Sequence, residues 1–468
     1  MVSINGFELH NIVKKNGGYQ VRDALFSHAT IDNAIWGTSL EAANTGEVFH
    51  YILTRNTSTG IGTITVYTEE FVTVTSLAIG VIVADCTVTC AVSDRQLLIN
   101  SPQFSYPIYG LVGGGLRRAV KKVSENDATT AIDVPNGLVI EFGGRFVIAQ
   151  SNILWFSDPG ATAKETFVAQ NFVALNSRIF DLFIGADGAL VAGTSDGVFS
   201  IPADSVAQGQ LAFPLVQKLS HYQCRNYRNL VYSQGRLIGL AENGIVDLGN
   251  ITNPLPLVTY NNARYYSKDV RQTDDFRTGR IFASQDMGAL VCLDSYFCAV
   301  DTAQTLFPAW ITCASATLDI KGILKTAEGK DLFLTSSKVL ELYGNTEFSS
   351  QDVTAVACGD VALDPAQSTL IRAIHTSSDN VGTVQLCYIG GRATSLATPK
   401  PSRAHNVVGT DNWGTTYYYC EDELRSRRHD QSYRTDQCQL EIGIGRAAAR
   451  IGEFTVYTKP VSPYRPTN

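Results

Sequence analysis

The stretch GALVAGTSDGVFSI, residues 188–201, admits two readings. Gly193-Thr194-Ser195-Asp196-Gly197 fits G-x-S-x-G, the nucleophile elbow of serine hydrolases, which would make Ser195 a nucleophile. The same residues also fit a tight turn between two apolar strands. One reading gives a strand–turn–helix enzyme; the other gives an all-β chain.

Other stretches decide between them. GRLIGLAENGIVDL (235–248) aligns without a gap, Gly235 under Gly188 and Gly244 under Gly197. GRFVIAQSNILWFS (144–157), GALVCLDSYFCAVD (288–301), KDLFLTSSKVLELY (330–343) and TVTCAVSDRQLLIN (87–100) have the same form. Each is an apolar run, a short turn of Ser, Asp, Asn or Gly, and a second apolar run, which is a β-hairpin signature. The first apolar residues after the turns are Leu97, Ile153, Val198, Ile245, Phe297 and Val339, at intervals of 56, 45, 47, 52 and 42 residues. Their mean of about 48 lies near the period of propeller blades, roughly 40–50. The expected fold is therefore all-β, with a β-propeller of about six blades. Ser195 then belongs to the repeat's turn. A strand and a Pro-containing loop follow it, not the helix an elbow needs, and the equivalent turn Glu242-Asn243-Gly244 has no serine.

Composition sets the outer limits. The chain has 468 residues, of which 44% are hydrophobic and 17% charged, enough for two to four packed domains. The net charge of −7 and the lack of an extended basic run argue against sequence-specific nucleic-acid binding, though not against a channel that DNA slides through. The opening MVSINGFELHNIVKKNGGYQ lacks the pattern of a signal peptide. The most apolar run, 76–92, is interrupted by Asp85 and is too short to span a bilayer, so no membrane partner is expected. Ten scattered cysteines form no C-x-x-C and are expected to be reduced, mostly buried thiols. The seven histidines form no H-x-H or H-E-x-x-H pair. Neither a metal nor a cofactor is expected, and no catalytic residue.

The rest of the chain also reads as strands. GEVFHYILT (46–54) and GTITVYTEEFVTVTS (62–76) precede the repeats. TLIRAIHTS (369–377), GTVQLCYIGG (382–391), GTTYYYCEDEL (414–424), CQLEIGIG (438–445) and GEFTVYTKPV (452–461) follow them. The expected organisation is a β-rich platform domain formed from both chain ends, residues 1–80 and 351–468, with the propeller (81–350) inserted between its halves.

Two basic clusters stand out. GLRRAVKKV carries Arg117, Arg118, Lys121 and Lys122; RSRRHDQSYR carries Arg425, Arg427, Arg428, His429 and Arg434. Each is either a solvated face or loop, or a docking surface for an acidic neighbour or passing DNA. Arg425, Arg427, Arg428 and Arg434 form the candidate assembly interface. SSDNVGT (377–383) half-resembles a sialidase Asp-box with its glycine displaced, and GLVGGG (110–115) lacks the Lys-Ser/Thr of a phosphate loop.

Several stretches resemble one family. VIEFGGRFVIAQSNILWFSDPGATAKETF (139–167) is similar to a segment of the tail hub, or nozzle, proteins of short-tailed bacteriophages. ALVAGTSDGVFSI resembles the following blade of those proteins, GRAAARIGEFTVYTKPV (445–461) the last sheet of their platform, and GGYQVRDAL (17–25) their opening. The resemblance implies a structural virion protein, assembled in the bacterial host cytoplasm and located in the tail. It would form a hexameric ring beneath the head-to-tail adaptor and portal, extend the channel for double-stranded DNA without reading its sequence, and retain the genome. Tailspikes or fibres, and a tail needle, would be its other partners. The competing readings are a carbohydrate-acting or carbohydrate-binding propeller (a glycosidase or lectin), which needs carboxylates or aromatics at its mouth, and a peptide-binding cellular scaffold.

Overall fold

The computed structural model describes residues 4–15, 18–21, 25–123, 130–158, 164–185, 187–202, 216–241, 244–248, 255–259, 276, 279–284, 288–293, 296–300, 308–311, 319–342, 355–361, 368–378, 383–387, 393–395, 425–435, 438–444 and 450–461. The regular elements among them that build the fold are β-strands. The expected stretch 414–424 lies outside the described residues.

Six antiparallel units follow one another between Thr89 and Leu342, where the repeat places them. Their innermost strands are Thr89–Ser93, Leu138–Phe142, Ile179–Ile184, Leu230–Ser233, Arg280–Ser284 and Gly322–Lys325, and each touches the next. A further four-stranded sheet precedes them: Ala34–Glu41, Val48–Arg55, Ile61–Thr68 and Thr73–Val81. Its inner strand meets Gly322–Lys325 on one side, and it shares a core with the Thr89 unit on the other. Among the described residues the propeller ring therefore holds seven sheets, numbered here as blades 1–7 from Ala34. Residues 34–81 were expected to fall largely in the platform. Their alternating pattern is common to a blade and to any half-buried sheet, so pattern alone could not separate the two.

The repeat is legible because the middle strands are buried on both faces. Leu190–Thr194 of blade 4 is buried throughout, and Arg145–Gln150 of blade 3 is buried except at Gln150. Such strands read as unbroken apolar runs. Their side chains form cores between neighbouring blades. Leu98, Phe146 and Phe167 pack between blades 2 and 3, and Leu154, Phe156 and Leu190 between blades 3 and 4. Emptying one such site, as in Phe146→Ala, typically costs about 3–5 kcal/mol.

One register differs from expectation. Ile153, Val198, Ile245, Phe297 and Val339 all lie on the third strand of their blades, but Leu97 lies on the second strand of blade 2. The hairpin at 87–100 joins first and second strands, where the others join second and third. Both hairpins put doubly buried strands around a polar turn, so their sequences look alike. The third strand of blade 2 begins at Ile108. Counted from there, the interval to Ile153 is 45 residues, and the outlying value of 56 disappears.

Blade 7 is completed from far away in sequence. Its first three strands are Gly322–Lys325, Asp331–Leu334 and Lys338–Leu342, and its outermost strand is Leu25–Thr30, with Leu25 opposite Leu342 and Ala29 opposite Val339. The chain ends also pair beyond the ring. Gly18–Val21 pairs with Arg450–Val461, Tyr19 opposite Ile451, and Ser368–Ser378 and Arg425–Thr435 extend that sheet. Ile4–His10 pairs antiparallel with Ala355–Val361 and parallel with Pro308–Ile311, the outer strand of blade 6. A β-rich domain formed from both chain ends is thus continuous with the propeller.

Ring closure is tight where blade 7 meets blade 1. A Cβ at Gly322 would strike the backbone oxygen of Gly37 and stand 3.0 Å from its N and C atoms. Backbone on both sides leaves nothing to yield, so Gly322→Ala should lower stability by about 2–4 kcal/mol, read as a drop in thermal midpoint. An unchanged midpoint would mean that the two inner strands do not approach as described.

Candidate functional site

The propeller axis is where the blades bring side chains together, and it is built around Arg228 and Asp181. Asp181 lies on the inner strand of blade 4. Its Oδ1 accepts the Arg228 N–H at 3.0 Å, and its Oδ2 accepts the N–H groups of Asn229 (2.7 Å) and Leu230 (3.0 Å), where blade 5 begins. Arg228 is thereby held at φ 60°, a left-handed conformation that a long side chain rarely adopts. Its guanidinium donates to the carbonyl of Val88 at 2.8 Å, beside blade 2, and sits 5.3 Å from the ring of Phe282 in blade 6. Arg280, also on blade 6, lies 3.7 Å from Asp85. Burial raises the Asp181 carboxyl well above the usual carboxylate range and lowers Arg228, while their mutual attraction opposes both shifts. A carboxylate that accepts three backbone N–H bonds through both oxygens is a clamp, with little left to offer a substrate proton. The arrangement ties blades 2, 4, 5 and 6 together across the axis.

Thiols fill the spaces around this clamp. Cys86, Cys90, Cys224 and Cys292 are free; Cys86 Sγ lies 3.2 Å from Ser101 Oγ, and Cys90 bonds Thr38 of blade 1. Burial pushes all four up, Cys90 to about 11, so they stay protonated and weakly nucleophilic at neutral pH. Three of these four, Cys86, Cys224 and Cys292, are buried, as expected of them. Among the described residues, no group of three His, Cys, Asp or Glu is placed to hold a metal.

A serine–histidine pair escaped the sequence reading. His50, fully buried in blade 1, is hydrogen-bonded through Nδ1 to Ser39 Oγ at 2.8 Å. Ser39 Oγ itself accepts the Lys325 N–H of blade 7 at 2.7 Å. Burial lowers the pKa of His50 to about 4, which the Glu69 carbonyl offsets only in part. An imidazole that weak is a poor general base at neutral pH. The pair reads as a buttress between blades 7 and 1. The only sequence signal was a histidine within the run VFHYIL.

The opening serine is in a turn. Ser195 and Asp196 are exposed between Leu190–Thr194 and Val198–Ile201. Thr194 Oγ1 organises the turn, accepting the N–H of Asp196 (3.2 Å) and of Gly197 (3.1 Å). Gly197 is needed because a Cβ there would run into the Ser220 carbonyl and Lys218 of the next strand.

The two basic clusters have different settings. Arg117 binds the fully buried carboxylate of Glu165 through two nitrogens, one at 3.1 Å, and Lys122 lies 3.9 Å from it. Arg117 also lies over Tyr109, at 4.5 Å. That cluster, offered as a solvated face or a docking surface, is partly engaged in joining blades 2 and 3. The second cluster forms an edge strand: Arg425 pairs with Ser378, Arg427 with Thr376, Arg428 with His375 and Arg434 with Leu370. It is a sheet edge where a loop or face was one expectation. Two open clefts flank the boundary of blades 2 and 3. One of about 420 Å³ contains Arg117 and Glu165; the other, about 630 Å³, is lined by Tyr106, Arg118, Lys121, Asp133, Asn136 and Trp155, among others.

No family model and no curated protein matches the chain. Among solved structures it is similar to a streptogramin B lyase, at 14% identity over 72% of this chain and 98% of that one, with a TM-score of 0.41. It is also similar to PorZ, a surface component of the type-IX secretion system of Porphyromonas gingivalis, at 13% identity over 79% of this chain and 46% of that one, TM-score 0.39. A gluconolactonase of Xanthomonas campestris is similar at 11% identity over 57% of this chain and 85% of that one, TM-score 0.30.

Two outcomes follow from these settings. Folded His50 refuses a proton that the unfolded chain takes near pH 6.5. Its contribution is complete above that pH and fades as pH falls through about 4, in all on the order of 3 kcal/mol. His50→Gln should flatten this part of the stability–pH curve in urea titrations; an unchanged slope would remove His50 as its source. Ser195→Ala should shift stability by less than about 0.5 kcal/mol, and a fluorophosphonate probe should leave Ser195 unmodified. Covalent labelling there would restore the hydrolase reading.

Proposed function

We propose that this protein is a structural component of a short-tailed bacteriophage virion: a tail nozzle or hub whose copies form a ring, six by the family resemblance, below the adaptor and portal. The observation that carries the reading is the insertion of the propeller into a sheet made by both chain ends, Tyr19 opposite Ile451. Such a subunit is a rigid body anchored at two covalent crossings, suited to packing side by side in a ring. The axial polar groups support the same reading, because Arg228 and Asp181 hold blades together. DNA would pass between subunits, in the ring's lumen. A DNA duplex has no passage along a propeller axis that Arg228 crosses to reach Val88. A net-acidic chain suits such a conduit, since each phosphate neutralised by Lys or Arg would retain the genome. Tailspikes or fibres would dock on the outside.

The cleft holding Tyr106 and Trp155 favours a second reading, a carbohydrate-binding propeller. With Asp133 as its only carboxylate among the described lining, the cleft suits binding better than hydrolysis, which needs a pair.

Particles assembled without the protein should package DNA and then leak it. Arg427→Glu with Arg428→Glu should impair attachment to particles while the isolated chain still folds, as read by circular dichroism and by counting genome-filled particles. Particles that keep their genomes and infect normally without the protein would refute the nozzle reading. Saturable binding of a neutral or acidic oligosaccharide, lost in Trp155→Ala, would favour the second.

A further inference from the structure

The chain contains fourteen consecutive uncharged residues, FVTVTSLAIGVIVA (71–84). In the fold this run becomes Thr73–Val81, the outermost strand of blade 1, together with its flanks. Much of it faces outward: Val72 is 61% exposed, Val74 43%, Val81 67% and Val83 53%. Ile61, opposite Val81 on the neighbouring strand, is 39% exposed. Of the other outermost blade strands, those of blades 2 and 4 carry charges, LRR at Leu116–Arg118 and QKLS at Gln217–Ser220, while those of blades 3, 5, 6 and 7 carry no Lys, Arg, Asp or Glu. Charges are the usual means of keeping a sheet edge from associating. An uncharged valine ridge roughly 30 Å long is the opposite arrangement, and such patches mark interaction sites.

Two register shifts, between Gly62 and Thr63 and between Val66 and Tyr67, interrupt the pairing of this strand. Bulges of that kind blunt main-chain strand addition, so the ridge is suited to side-chain packing. Its surroundings select the occupant. Glu69 and Glu70 close the turn at one end, and Asp85 stands exposed just beyond the other. The complementary charge occurs in the same chain: Arg425–Thr435, RSRRHDQSYRT, is the edge strand of the end-to-end sheet and carries four arginines against one aspartate.

We propose that the valine ridge of blade 1 packs against a second copy of this chain, with the Glu69–Glu70 turn facing the Arg425–Thr435 edge of that copy. The contact joins two different surfaces, so it propagates around a ring and leaves each copy with one of each. Opposite charges at its rim set register and partner choice more than affinity. This inference rests on the ring reading and names the surfaces that build the ring.

The test uses the full chain in analytical ultracentrifugation. Val74→Lys with Val81→Lys should weaken association at least tenfold without lowering the thermal midpoint, because both side chains are exposed. Glu70→Lys and Arg427→Glu should each weaken association, and the two together should restore it toward the wild-type level. Rings that form with wild-type affinity in the lysine pair, or no restoration in the charge swap, would overturn the ridge while leaving the ring reading standing. Rings that form normally in the lysine pair but no longer join particles would assign the ridge to another virion protein and overturn the second copy as occupant. A wild-type chain that stays monomeric at high concentration would overturn both readings.

Discussion

Everything else in this fold depends on closing the ring, and the pairing of Leu25–Thr30 with Lys338–Leu342 does that. About three hundred residues separate the two strands. Joining the ends of so long a loop costs about 5 kcal/mol beyond a constant. The buried side chains at the seam answer it: Leu25, Val339 and Leu340 are essentially inaccessible, and each contributes roughly 1.5–3 kcal/mol. Burial at the seam is thus of the same size as the cost of closing the loop. Closure also fixes the spacing of all the inner strands, and with it the reach of Arg228 across the axis.

The parts of the fold that were legible in the sequence are those set by local burial. A middle blade strand is covered on both faces, so residues such as Leu190–Thr194 are apolar without interruption and the turn between two of them stands out. For the same reason the first hairpin of blade 2 could be mistaken for the second, because Leu97 and Ile153 occupy chemically similar places on different strands. Blade 1 was read as part of the end domain because VFHYILTR and IGTITVYT carry polar residues amid the apolar ones.

The candidate sites were much less legible, since their defining contacts are distant in sequence. Arg228 follows CRNY, an unremarkable polar segment, and its partner Val88 lies 140 residues earlier. Nothing in the sequence around Glu165 marks it as buried, yet it is sealed beneath Arg117 from the preceding blade. The basic strand Arg425–Thr435 was visible as a charge cluster, but its place at a sheet edge depends on Ser368–Ser378, some fifty residues upstream. Composition could identify these groups as charged, whereas only the topology decides which charges are already paired within the chain.

The order in which the closing strands emerge from the ribosome has a kinetic consequence. Leu25–Thr30 is made early and must wait for Lys338–Leu342. At about 5–20 residues per second, that delay is on the order of 15–60 s. The strand Arg450–Val461, which pairs with Gly18–Val21, arrives later still. During synthesis, blades 2 to 6 can stack on one another as each is completed, while blade 7 and the end sheet remain unfinished. A chain stopped before Arg450 would lack the strand that joins its two ends. Translation thus works as an inspection step, in which prematurely terminated chains stay structurally incomplete.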